Sequence, residues 1–181
     1  MPKKETDKHP HPKDAHPHLA EFYPYLELLR EESDRGKVLI STGFIEDQLK
    51  NVLLAFMLES SQAEELVSST NAPLGTLSAK ISSCYVLGLV SEVEHHDLTL
   101  IRRIRNDFAH NLHTSFTTQS VIDRCKLLRL KAHDYSSEKM GDVTVNPSGQ
   151  FQTAAVALIM NLTNRPHYVA EKRRMHGAWK Y

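Results

Sequence analysis

The stretch SEVEHHDLTLIRRIRNDFAH, residues 91–110, decides the class of the fold. Ser91 followed by Glu94 is a capping box. The hydroxyl can accept from the first orphan amides of a helix, and the carboxylate can reach back to the Ser91 amide. Leu98, Ile101, Ile104 and Phe108 then recur at three and four residues, which puts them on one face of the helix that the box opens. A long, capped, amphipathic helix has to bury its stripe against other helices, so the neighbouring segments are expected to share its period.

They carry it. Upstream, Leu74, Leu77, Ile81 and Tyr85 keep helical spacing as far as Gly88, a residue suited to ending a helix. A longer helix is predicted from Asp34 to about Glu59, with Val38, Phe44, Ile45, Leu49, Val52, Leu53, Phe56 and Met57 as its stripe. Gly36 and Gly43 within it predict a close helix–helix approach. Phe22, Tyr25, Leu26 and Leu29 predict a first helix with Pro24 in its opening turn, and residues 62–68 a short one. Downstream, Thr117 or Thr118 can cap a helix bearing Val121, Ile122, Cys125 and Leu128. Phe151, Ala154, Ala155, Leu158, Ile159 and Leu162 form the last. Between these two, Gly141, Pro147 and Gly149 around Val-Thr-Val suggest a short hairpin. The expected fold is all-α, a single compact bundle of about six helices with disordered N- and C-terminal tails.

The domain boundaries follow composition. Residues 1–18 hold four Pro, four His and four Lys with almost nothing apolar; such a segment cannot offset the entropy of ordering. Residues 19–163 form the helical domain. Residues 164–181 form a basic tail, with Arg165, Lys172, Arg173, Arg174 and Lys180 against Glu171 alone. Its Tyr168, Trp179 and Tyr181 interleave with the cations, a composition able to stack on single-stranded RNA or simply to be solvated.

The 181 residues are 40% apolar and 24% charged, and 22 Lys and Arg balance 22 Asp and Glu. Zero net charge argues against a globally basic nucleic-acid coat protein. No run of apolar residues is long enough for a membrane helix, and the N-terminus has no apolar stretch of the kind a secretory signal needs. The expected location is the cytoplasm. Cys84 and Cys125 lie in apolar helical contexts without metal-ligand spacing and read as buried thiols. His9, His11, His16 and His18 read as a solvated tail, and His95-His96-Asp97 is a poor chelate because adjacent helical residues point about 100° apart. No metal and no cofactor is expected. Phosphate loops, nucleophile elbows and zinc-protease helices are absent from the sequence.

The chemistry-bearing constellation is Arg102-Arg103-Ile104-Arg105-Asn106-Asp107-Phe108-Ala109-His110. Asn106 and His110 share a helix face with Arg105 beside them. A guanidinium next to a histidine that titrates near neutrality can hold a phosphodiester and move a proton. The same residues also suit a structural role, in which Arg105 pairs with Asp107, Glu94 or another acid, His110 caps carbonyls and Asn106 links two helices. Arg102, Arg103 and Asp107 are further candidate binding residues, as is Asp97, a possible partner for an arginine.

Arg105-Asn106-Asp107-Phe108-Ala109-His110 resembles the Arg-x4–6-His motif of HEPN domains, small helical bundles that include dimeric, metal-independent ribonucleases. That resemblance implies that Arg105 holds the scissile phosphate, His110 serves as base or acid, and Asn106 orients the pair. A longer stretch resembles the mannitol operon repressor (MltR-like) family. It comprises Ala72-Pro73-Leu74-Gly75-Thr76-Leu77-Ser78-Ala79-Lys80-Ile81, then Tyr85-Val86-Leu87-Gly88-Leu89-Val90, then the helix from Asp97 to His110. It implies a non-catalytic regulator acting in transcription. No helix-turn-helix or basic recognition helix is legible, so direct DNA binding is not expected and repression would act through a protein partner. Both resemblances imply a homodimer. The regulator ranks first; the alternative is an endoribonuclease using Arg105, Asn106 and His110, with RNA as its partner.

Overall fold

The computed structural model describes residues 22–69, 71–137, 141–173, 175 and 177. The expected 1–18 tail, its four histidines, and Arg174, Trp179, Lys180 and Tyr181 lie outside the described residues. The described chain forms seven helices and one small hairpin. In order these are α1 (Phe22–Arg30), α2 (Asp34–Phe56), α3 (Ser61–Ser68), α4 (Leu77–Val86), α5 (Glu92–His110), α6 (Gln119–Leu127), β1 (Tyr135–Ser137), β2 (Gly141–Val143) and α7 (Pro147–Ala170). The fold is all-α, as expected.

The centre of the bundle is the pair α2 and α7, with α4 and α5 packed on α2 and α6 packed on α7. Leu49, Val52 and Leu53 of α2 meet Leu158, Ile159 and Leu162 of α7 and Leu98, Ile101, Ile104 and Phe108 of α5, all at or near zero exposure. Because α2 is covered on most sides, it also buries polar residues, among them Ser41 and Thr42, which bond to the backbone one turn back. Thr42 Oγ1 donates to the Val38 carbonyl, and Ser41 Oγ donates to the Lys37 carbonyl while accepting the Tyr25 hydroxyl. The close approach expected at Gly43 does not occur: a Cβ there would meet nothing within 4 Å, and at Gly36 it would meet only the Glu32 side chain.

The α4–α5 corner is built as the sequence indicates. Gly88 has φ +71°, and its amide donates to Tyr85 O at 2.9 Å while the Leu89 amide donates to Cys84 O at 2.8 Å. This Schellman pattern satisfies the last carbonyls of α4. Ser91 then caps α5, with Glu94 N to Ser91 Oγ at 3.2 Å and Ser91 N to Glu94 Oε2 at 2.7 Å. The hairpin pairs Tyr135 with Val143 and Ser137 with Gly141.

One boundary differs from the sequence reading. Residues 164–170 are not tail: α7 continues through Pro166 to Ala170. Proline lacks an amide and normally ends a helix, but tertiary ties hold this one. Arg165 binds Glu94 and the Leu89 carbonyl, and Val169 is 6% exposed. Among the described residues, no helix is long and apolar enough to cross a membrane.

Candidate functional site: an arginine cleft between α4 and α5

The second half of α5 presents Arg102, Arg105 and Asn106 on one side, at i, i+3 and i+4. These three line a cleft of about 330 Å³ with Thr76, Leu77 and Ser78 at the start of α4 and Glu46 of α2. Arg105 Nη1 donates to its neighbour's Asn106 Oδ1 at 3.3 Å, which leaves the Asn106 amide nitrogen able to donate. Thr76 caps α4 by accepting from Ala79 N at 3.1 Å. The amides of Leu77 and Ser78 are the orphan donors every helix start carries.

The acids expected to neutralise these arginines are engaged elsewhere. Asp107 pairs with Arg124, Glu94 with Arg165 at 2.7 Å, Glu92 with Arg129 at 3.7 Å, and Glu46 with Lys80 at 2.9 Å. Among the described residues, Arg102, Arg103 and Arg105 form no ion pair. The anticipated pairing of Arg105 with Asp107 or Glu94 is therefore corrected, because both acids meet arginines from other helices first. Lys80 is nearly buried and also donates to the Gly75 carbonyl at 2.6 Å, so the Glu46 charge is answered in place. Arg102 and Arg105 are left as two uncompensated cations in one cleft.

The other sequence candidates are placed apart. Arg103 is exposed and lies outside the cleft. Asp97 is fully buried, and its carboxylate accepts the Arg129 amide at 2.9 and 3.0 Å and the Leu130 amide at 2.8 Å. It braces the chain after α6 and does not meet a guanidinium. His95 stacks on Tyr85 with ring centroids 4.0 Å apart, and His96 meets the Leu127 carbonyl at 3.1 Å. Among the described residues no group of three or more His, Cys, Asp or Glu is gathered for a metal ion. Burial pushes the thiols of Cys84 and Cys125 up to about 12, so neither is a ready nucleophile.

His110 is exposed, lies outside the cleft lining and makes no hydrogen bond among the described residues. The helix-end carbonyls it was expected to cap are taken by Arg35 of α2. That guanidinium donates to Phe108 O, to Asn111 O at 2.8 Å and to Leu112 O at 3.1 Å. His110→Ala is accordingly expected to change unfolding stability by less than about 0.5 kcal/mol. Urea denaturation checks this, and a loss above about 1 kcal/mol would show that the ring braces the helix end.

Sequence reasoning missed Glu46 and the start of α4 as neighbours of the arginines, and Arg35 as the group that takes the carbonyls at the end of α5. The one local signal was the i, i+3, i+4 relation of Arg102, Arg105 and Asn106. Nothing in the order of residues says that a helix begun 25 positions before Arg102 would cover that face.

Comparison with known proteins returns little from sequence and one likeness from structure. No family model matches the chain, and no curated protein matches it. The X-ray structure of the MtlR-HPr complex from Escherichia coli contains a chain similar to this one. The TM-score is 0.56 at 18% identity, over 83% of this chain and 98% of that one. At that identity the likeness is one of fold: this chain has an MtlR-like, all-α fold that spans nearly the whole of its solved neighbour.

Proposed function

We propose that this chain is a non-catalytic regulatory protein, acting in transcriptional control through a protein partner. The observation that carries the reading is the fold shared along 98% of a chain solved in a complex with HPr. The resemblance of residues 72–110 to mannitol operon repressors supports it independently. So does the placement of the basic residues: Arg102 and Arg105 line a narrow cleft, where a DNA groove reader needs its side chains on an exposed helix face. HPr is the partner to try first, and the homodimer expected from the sequence belongs to the same reading.

The ribonuclease alternative is not favoured by the geometry. Of its two principal groups, Arg105 lines the cleft and His110 is not among the lining residues. A base must reach the proton it removes.

Titration calorimetry with purified HPr tests the proposal, beside sedimentation for the dimer and incubation with single-stranded RNA in EDTA. Saturable binding of HPr without RNA cleavage is expected. Cleavage in EDTA that His110→Ala abolishes, or saturable binding of duplex DNA with none of HPr, would overturn it.

A further inference from the structure

We infer that the cleft between the start of α4 and the second half of α5 is a binding site for a small phosphate monoester, with Arg102 and Arg105 as its cationic walls. This goes beyond the partner reading and does not rest on it.

Three observations lead to that ligand class. The first is charge. Glu46 is answered by Lys80 at 2.9 Å, so the cleft keeps the two positive charges of Arg102 and Arg105. A phosphate monoester carries close to two negative charges near neutral pH, whereas a phosphodiester link carries one. The second is donor supply. Two guanidinium forks, the Asn106 amide, the Ser78 hydroxyl and the α4 amides of Leu77 and Ser78 offer more donors than a carboxylate has acceptor sites. Three terminal phosphate oxygens can use them, and the start of a ten-residue helix adds a favourable dipole. The third is shape. A volume of about 330 Å³ holds one small organic phosphate. A polyanionic strand would need a continuous basic track, and the lining supplies two arginines in one confined space.

The walls are fixed before any ligand arrives. Lys80 ties Glu46 of α2 to the Gly75 carbonyl, 2.6 Å away, in the turn before α4. A Cβ on Gly75 would stand 3.0 Å from the Ala72 carbonyl, so the turn is tight. Arg105 is oriented by Asn106, and neither arginine would have to leave an acid to meet an anion.

The test is titration of the full chain with inorganic phosphate and with methyl phosphate, followed by amide proton–nitrogen NMR and calorimetry. Saturable shifts confined to Leu77, Ser78, Asn106 and their neighbours are expected from the unmodified protein. Arg102→Gln and Arg105→Gln are each expected to weaken binding by about tenfold or more, as loss of a charge-assisted fork should. Arg103→Gln, on the same helix but outside the cleft, is expected to change it by less than about twofold. Circular dichroism reports whether each variant folds. Should one of them not fold, the shift map of the unmodified protein and the remaining arginine variant still decide. Non-saturating shifts, an equal loss in Arg103→Gln, or binding of a short oligoribonucleotide but neither phosphate probe would overturn the inference.

Discussion

Asp97→Ala is expected to lower the unfolding free energy by roughly 3–4 kcal/mol, the sum of two backbone amides left without an acceptor. Asp97 is fully buried on α5, and both its oxygens are engaged by the amides of Arg129 and Leu130. These residues follow α6, beside Leu128, which is itself fully buried. The carboxylate thus does for an irregular segment what a further helical turn would have done, and truncation removes the acceptor without returning water to it. Asp97→Asn keeps one acceptor oxygen and is expected to cost about half as much. The shift in urea midpoint at constant slope measures both. A loss under about 1 kcal/mol for the alanine variant would mean that the segment finds other partners.

The second large effect is expected at Arg165. Its Nη2 donates to Glu94 Oε1 at 2.7 Å, and its Nη1 donates to Glu94 Oε2 at 3.2 Å and to the Leu89 carbonyl at 2.7 Å. One side chain of α7 therefore clamps the α4–α5 corner. The Glu94 side chain is only 5% exposed. Arg165→Met keeps the length of the stem but strands that carboxylate, at a cost of about 3 kcal/mol near neutral pH.

The effect has a defined pH dependence. Burial pushes the Glu94 carboxyl up. The hydrogen bond from Arg165, those from the Ser91 amide and hydroxyl, and the Arg165 charge outweigh burial and hold it below its ordinary 4.5. A depressed acid contributes stability that is fully present above the unfolded value and is lost as pH falls through the folded one. The unmodified chain should therefore lose stability on acidification below pH 4.5. In Arg165→Met, burial is opposed by Ser91 alone, so the gap between variant and parent should be widest above that pH and close beneath it. Chemical denaturation at a series of pH values measures this, and a gap independent of pH would show that Arg165 acts through packing.

The secondary structure was largely legible because its signals are local. The Ser91–Glu94 box, Gly88 at the end of α4 and the stripe of Leu98, Ile101, Ile104 and Phe108 need only neighbours within a few residues. The sequence reading failed where a distant contact overrode a local preference. The cationic composition of residues 164–181 argued for a tail, yet α7 runs through Pro166 to Ala170, with Arg165 bound to Glu94. Gly43 argued for a close crossing that nothing fills.

The candidate site was legible only in half. Its arginines stand out in residues 102–105, and their shared face with Asn106 follows from helical geometry alone. Which of them would be left without an acid depended on Arg124, Arg165, Arg129 and Lys80 reaching Asp107, Glu94, Glu92 and Glu46 first. Those pairings join residues as far apart as 71 positions, and no spacing rule encodes them. Local hydrogen bonding and hydrophobic period were enough to specify an all-α bundle and most of its helix ends. The cleft, the exclusion of His110 from it and the burial of Asp97 were decided by how the helices pack, because charge is neutralised by whatever lies nearest in space.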